Sequence, residues 1–592
     1  MKILGVRYGH DASAALVVDG KIVADVAEER FSRIKNDGSF PINSIGYCLE
    51  AGGISSEDLD GLAIPSGWFH DHFQTFFEFP EEFEIITFTA ERPRRHIVVR
   101  AWRKLSDQLG NNSRVGLFRT SSSGIGRREP TFEGNTPVLP LYHLPFKLSS
   151  NCNVFLVEHH LSHAASACYT SGWDNERALC VTMDGIGEGV SNAVWLFENN
   201  KLRCLAKYDG SSSIGWFYAC ATEALGWRQS RGEWKLMGLA PFGNPVEGVL
   251  SGLHPEFQNG SLIKRMDYGP VGRWNDHGAN HYHRPVSREF QQIVDKLGRE
   301  DFAAEVQRVA EEQAMNFILP RLEIHDCAKV ACAGGFFLNV KLNQKLWYSG
   351  KLDKHWIYPN AGDPGLSVGA ALMAFHSMNP KARVQQLDNL YKGPDFSHEQ
   401  IKQVLDERRI KYAYHENIEL IAAELLKKNY VLGWFQGRME AGPRALGNRS
   451  ILVSPLKQEN RDLVNTRIKY RETFRPFCPS ILSGYSSDYL VNPRDAYYMV
   501  ISFDTNGRAR QRIPAVVHVD GTVRPQTVRR EVNPRYYDVI KAFGEITGEY
   551  AILNTSLNIR GEPIVCTPRE AIKCLYDTGM DAMILGNFLV EK

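Results

Sequence analysis

Short apolar runs separated by polar turns open the chain and predict strands. Ile3-Leu-Gly-Val6 and Ala14-Ala-Leu-Val-Val18 flank the turn Gly9-His10-Asp11, and Asp19-Gly20 predicts a tight hairpin into Lys21-Ile-Val-Ala24. The plan returns later, with strands at Ala178-Leu-Cys-Val-Thr182 and Ala193-Val-Trp-Leu-Phe197 around the turn Asp184-Gly-Ile-Gly-Glu-Gly189. Asn199-Asn200 then turns into Lys201-Leu-Arg-Cys204. Helical spacing covers 301–325. The strand Lys329-Val-Ala-Cys332 runs into Gly334-Gly335, and Gly362-Asp-Pro-Gly365 makes a second glycine turn. Between the two similar units, from Gly67 to Leu148, the pattern is irregular. It carries an aromatic run from Trp68 to Phe88 and a basic helix candidate with Arg92, Arg94, Arg95, Arg100 and Arg103. A core-plus-surface helical insertion is the plain expectation there, and a lid over an acceptor pocket the sharper one.

Two strand–turn–strand–hairpin units predict a duplicated α/β domain of actin/hexokinase-like layout, with a nucleotide cleft between its halves. A break near Met378–Phe396, rich in Pro, Asn and Gly, predicts a domain boundary. A chain of 592 residues is too long for one core, so two or three domains are expected. The net charge of +1 gives no general drive toward nucleic acid or membrane, so any basic site is local. Eleven cysteines without a Cys-x-x-Cys pair argue against a zinc ribbon or thioredoxin motif. With no signal peptide or membrane span in the pattern, a cytoplasmic enzyme is expected.

The strongest local chemistry is Gly437-Arg-Met-Glu-Ala-Gly-Pro-Arg-Ala-Leu-Gly-Asn-Arg-Ser450, which follows the strand candidate Tyr430–Phe435. Glycines admit close backbone approach to an anion, and arginine forks bind phosphate or carboxylate oxygens bidentately. Downstream, Arg467, Lys469 and Arg471 alternate, which predicts three charges on one face of an extended segment, and Arg475 follows. A solvated charged strand is the bland alternative. The interleaved glycine and proline favour an anion pocket for phosphates.

A second constellation suits a metal. His159 and His163 stand four residues apart, on one helix face if the segment is helical. Asp184 and Asp363 each follow an apolar strand at a glycine turn. Two imidazoles and two carboxylates suit Fe(II), Mn(II) or Zn(II). No His-Glu-x-x-His, Gly-x-Ser-x-Gly or Walker-type loop is present.

Taken in order, Gly9-His-Asp-Ala-Ser-Ala-Ala15, Glu28-Glu-Arg-Phe-Ser32, His159-His-Leu-Ser-His-Ala164 and Gly232-Glu-Trp-Lys-Leu-Met-Gly-Leu-Ala-Pro241 lead to Ala361-Gly-Asp-Pro-Gly365. Gly437–Gly447, Tyr470-Arg-Glu-Thr-Phe-Arg-Pro476 and Asn554-Thr-Ser-Leu-Asn558 complete the set. Together they resemble the antibiotic and nodulation-factor O-carbamoyltransferases, the family of the tobramycin, cephamycin and saxitoxin carbamoylating enzymes. The resemblance implies an actin/hexokinase-like transfer domain over 1–385, with an insertion at about 64–150, and a YrdC-like α/β domain over 395–592. The second domain would make carbamoyl-AMP from carbamoyl phosphate and Mg-ATP; the first would pass the carbamoyl group to a small-molecule hydroxyl acceptor in secondary metabolism.

By motif position, Arg444, Lys469 and Arg475 would hold carbamoyl phosphate. Asn554, Ser556, Arg524 and the backbone around Met499 would hold ATP, with Gly334 and Gly335 as further nucleotide contacts. His159, His163, Asp184 and Asp363 would bind iron(II), with zinc or manganese as alternatives, and His10 would sit at the transfer centre. Bulky Phe336 and Phe337 beside the glycine pair depart from the family pattern. The implied partners are neither nucleic acid nor membrane, and a homodimer is compatible with the pattern. Three other readings compete: an actin/hexokinase-like small-molecule kinase releasing ADP, a tRNA-modifying threonylcarbamoyl transferase, and a non-catalytic nucleotide sensor. The near-zero charge argues against the second, and the intact candidate ligands argue against the third.

Overall fold

A computed structural model describes the chain outside residues 71, 81–82, 89–93, 99–131, 134–135, 138–144 and 267–283. It divides into two compact units, Met1–Asp174 with Asp363–Leu387, and Asn175–Gly362 with Asp388–Lys592. The fold is mixed α/β.

The first unit is built on a seven-stranded sheet. Its first three strands, Lys2–Arg7, Ser13–Val18 and Lys21–Ala27, form an antiparallel meander. Asp19 and Gly20 both take positive φ (48° and 79°), the geometry that matches a two-residue turn to the twist of its strands. The strand Gly61–Ile64 then pairs parallel with Lys2–Arg7, and Asn153–Val157 pairs parallel with Gly61–Ile64. The predicted basic helix is replaced, where the structure describes it, by a strand. Arg94–Val98 runs antiparallel to Glu84–Phe88, because Ile97 and Val98 favour a pleated edge. Arg92, Arg100 and Arg103 lie outside the described residues.

The aromatic run meets the plain expectation. Phe40 stacks on Phe76 at 4.1 Å, and Phe73, Phe77 and Phe146 close the same buried cluster. Trp68, by contrast, is exposed.

The second unit holds two sheets. In the five-stranded sheet, Ala178–Gly187, Val190–Glu198 and Lys201–Asp209 repeat the antiparallel meander. Lys329–Ala333 and Lys354–Ile357 add parallel strands in the same order as in the first unit. Asn199 and Asn200 have φ of 51° and 58°, the counterpart of Asp19-Gly20. The duplicated strand plan is therefore present. The helix expected at 301–325 spans Arg299–Ile324. The eight-stranded sheet places Leu432–Phe435 and Arg449–Val453 beside Ala551–Ser556, followed by Cys478–Leu482 and Gln526–Val528. The glycine-arginine loop and the Asn554 motif thus meet at one end of one sheet.

Candidate functional site

The first candidate centre lies in the first unit. The helix His159–Thr170 begins at His159, so four-residue spacing puts His163 one turn along the same face. Asp363 heads a short turn into the helix Leu366–Met378. That helix packs on the histidine helix at Gly369, where a side chain would overlap the carbonyl of Ser162. Only glycine permits this approach. As a result the Nε2 atoms of His159 and His163 each lie 3.8 Å from Oδ1 of Asp363. Both imidazoles are buried.

The other Asp363 oxygen accepts a hydrogen bond from Arg7 at 2.9 Å, an outer partner that fixes the carboxylate. Arg7 carried no signal in the sequence beyond its place at a strand end. Two buried ring nitrogens converging on one carboxylate oxygen, all within 4.8 Å, fit a divalent first-row cation by donor chemistry.

His10 sits at the turn after the first strand, with its Nδ1 2.9 Å from Asp11 Oδ2. Burial pulls its pKa down, but the Asp11 hydrogen bond and the charges of Asp11 and Asp363 outweigh that and raise it. Asp11, itself at φ 58°, is held by Asn36 at 2.6 Å.

Asp184 belongs to the second unit. It lies where the pairing of Ala178–Gly187 slips out of register, a bulge that re-aims a side chain. Gly334, at φ 100°, abuts the backbone of Met183, and a side chain on Gly335 would come within 3.0 Å of the Asp184 carboxylate. The bulk that follows turns inward: Phe337 is wholly buried and Phe336 nearly so.

The second candidate centre lies in the second unit, and its three loop arginines have different fates. Arg449 is fully buried; it donates to the carbonyls of Gln436, Gly437 and Pro394 and faces the Phe435 ring at 3.7 Å. Arg438 donates to the carbonyls of Gly393 and Lys392. Arg444 is different: like Arg449 it has a buried Nε without a partner, but among the described residues it has none of the bonds to carbonyls that hold Arg449 and Arg438. Burial, with Arg524 nearby, pushes its pKa down to about 9 against the opposing pull of Cys478.

The loop's own amides are largely committed. Glu440 Oε1 accepts from the N–H groups of Leu446, Asn448 and Arg449 at 2.7, 2.8 and 3.2 Å. Glycine-lined amides as the anion's main ligands are thus ruled out at those three positions, since a built-in carboxylate already occupies them.

The alternating basic run is not extended. Val464–Ile468 forms a π-helical turn, which leaves Arg467 exposed, Lys469 buried and Arg471 part-buried. One face for all three charges is therefore wrong, because i→i+5 hydrogen bonding winds the segment up. Lys469 reaches Oδ1 and O of Asn558 at 2.7 and 3.0 Å and the carbonyl of Ser556.

Arg475 is 9 % exposed, its Nη1 donates to Glu472 at 3.2 Å, and its Nε has no partner. Burial pushes its pKa down to about 10, with Glu472 opposing the shift. Arg524 donates through Nε and Nη2 to Cys478 Sγ, at 3.1 and 2.9 Å. Asn554, opposite Cys478 in the sheet, donates to Ala445 O at 3.2 Å, while its own Oδ1 is buried without a partner. Ser556 donates to Asn558 Oδ1, and Met499 holds a left-handed backbone at φ 56°. Arg444 and Arg475 each keep a buried Nε without a partner, a donor that an oxygen of an anion can take.

The family model described as Carbamoyltransferase N-terminus matches residues 2–372, and that described as Carbamoyltransferase C-terminus matches 423–592. The chain belongs to the carbamoyltransferase family. An uncharacterized protein of Synechocystis sp. is 35% identical over all of this chain and 96% of its own length. The Nodulation protein NolNO of Sinorhizobium fredii is 31% identical over 99% of this chain and 79% of its own. Among solved structures, T. kodakarensis HypF aligns over 65% of this chain and 49% of its own at 12% identity and a TM-score of 0.32, too slight a likeness to argue from. Among the described residues no helix is long and apolar enough to cross a membrane.

Proposed function

We propose that the protein is an O-carbamoyltransferase working in two steps. It makes carbamoyl-AMP from carbamoyl phosphate and Mg-ATP in a YrdC-like domain over 395–592. It then transfers the carbamoyl group to a hydroxyl of a secondary metabolite in an actin/hexokinase-like domain over 1–385. The observation that carries the reading is the pair of guanidinium groups of Arg444 and Arg475, each with a buried, unpartnered Nε, together with a buried Lys469 in a carbamoyltransferase chain. Two phosphorylated reactants concentrate negative charge, and preorganised cations in a dry pocket lower the cost of bringing them together. Lys469 is held by Asn558 and Ser556 and presents its charge without needing to reorganise. Asn554 and Arg524 would hold the nucleotide, with the Met499 backbone and Ser556.

In the transfer step, His159, His163 and Asp363 would hold a divalent cation with Asp184 as fourth ligand. Iron(II) is the first choice of metal, zinc or manganese the alternatives. When bound, such a cation supplies a Lewis acid for the carbamoyl carbonyl. His10 uses Nδ1 on Asp11, so Nε2 is the atom that takes the proton of the acceptor hydroxyl. Arg7 keeps the Asp363 carboxylate oriented throughout. Gly335, beside the Asp184 carboxylate, and Gly334 would be further nucleotide contacts.

The test omits the acceptor. Protein, ATP, carbamoyl phosphate and magnesium are incubated, and the products are read by mass spectrometry. Carbamoyl-AMP or AMP, lost in Arg444→Ala, is the expected result; ADP alone would overturn the reading in favour of a kinase.

A further inference from the structure

The segment Gly232–Pro241 has no part in the chemistry described so far, yet it lies against the anion pocket within the second unit. Its helix, Glu233–Leu239, packs at Gly238 beside Phe474 and Pro476, the residues flanking Arg475. The Arg475 guanidinium lies over the Trp234 ring, its central carbon 3.3 Å from the ring centre. Trp234 is itself fixed, since its indole N–H donates to the carbonyl of Arg231 at 2.9 Å. The Glu233 carboxylate pins the preceding turn by accepting from the N–H groups of Ser230 and Gly232.

Lys235 acts on the same group from the other side. Its ammonium lies 3.6 Å from Glu472 Oε1, while Glu472 Oε2 accepts from Arg475 Nη1. Glu472 is thus shared between two cations and neutralises neither fully. The stacked face, the single shared carboxylate and the unpartnered Nε leave the Arg475 fork oriented and charged at one edge.

We infer that Trp234 is a positioning residue of the carbamoyl phosphate site, holding the plane of the Arg475 guanidinium so that its free edge meets the phosphate. This inference rests on the reading of Arg475 as an anion ligand. It makes the first family half, which contributes Trp234, a structural component of the pocket assigned to the second.

The experiment measures carbamoyl phosphate binding calorimetrically on the full chain, with the KM for ATP as a second readout. Trp234→Leu keeps apolar bulk without the ring face and should weaken carbamoyl phosphate binding about tenfold; Trp234→Phe, which restores a face, should stay within about threefold of the parent. The KM for ATP should not move. In an Arg475→Ala background, Trp234→Leu should add less than about a twofold loss. Independent, multiplying losses in the two backgrounds, or equal losses for Leu and Phe, would overturn the positioning role. If Arg475→Ala alone leaves binding unchanged, the assignment of Arg475 has failed, and the inference falls with it. Melting temperatures of the variants separate a lost site from a lost fold.

Discussion

The two candidate centres solve opposite electrostatic problems with the same means. In the histidine corner, two buried imidazoles converge on a carboxylate, a donor set that suits a cation. In the arginine pocket, Arg444 and Arg475 each keep a buried Nε without a partner, chemistry that suits an anion. Each is held by a carboxylate or cation that never meets the ligand. Arg7 fixes Asp363 in the first, and Glu440 ties down the glycine loop in the second. The difference teaches that residue type alone does not mark a ligand. Arg449 and Arg444 stand five positions apart in one loop and both keep a buried Nε without a partner, but only Arg449 gives its Nη groups to carbonyls, those of Gln436, Gly437 and Pro394.

That contrast gives the largest expected effect. Arg444→Ala should cut AMP formation by on the order of a hundred- to a thousandfold, while leaving the melting temperature unchanged or slightly raised. Arg449→Ala should do the reverse in stability, costing about 3 kcal/mol by stranding buried carbonyls, as read from denaturant unfolding. Equal stability losses in both variants would break the distinction.

The next effect concerns a buried carboxylate of the first unit, that of Glu28. Glu28 accepts from the N–H and side chain of Ser44 and from Asn43, at the start of the helix Ile42–Gly52. Burial nevertheless pushes its pKa up to about 7, against those hydrogen bonds. The folded chain therefore keeps a proton that the unfolded chain releases above its ordinary carboxyl pKa. The stability contribution is complete below pH of about 4.5 and lost as pH rises through about 7, about 3 kcal/mol in all. Glu28→Gln should flatten that slope in unfolding measured across this range. An unchanged slope would show that another group carries it.

The smallest effect sharpens the metal corner. Gly369→Ala should force the helix of Asp363 away from the histidine helix and weaken divalent metal binding about tenfold, measured by metal titration. His163→Ala should abolish stoichiometric binding at the same metal concentration. A Gly369→Ala protein that binds metal as the parent does would mean that the close helix contact does not set the corner's geometry.

The strand plan was legible because it is local. Asp19-Gly20 and Asn199-Asn200 supply the positive φ that a two-residue hairpin demands, and four-residue spacing fixes the relation of His159 to His163. Spacing also misled. The alternation of Arg467, Lys469 and Arg471 reads as a strand, yet hydrogen bonding of the π turn buries one and exposes another. Arg94 and Arg95 read as helical but begin a strand, where the following Ile97 and Val98 find a partner in Glu84–Phe88.

By itself the sequence determined the duplicated strand order, the histidine pair and the family, since each follows from spacing or from contiguous motifs. Only the tertiary structure decided which loop arginine has its Nη groups taken by carbonyls, that Arg7 orients Asp363, and that Trp234 stacks on Arg475. Those relations join residues up to several hundred positions apart. They depend on where helices and loops come to rest, and no local pattern of residues encodes that.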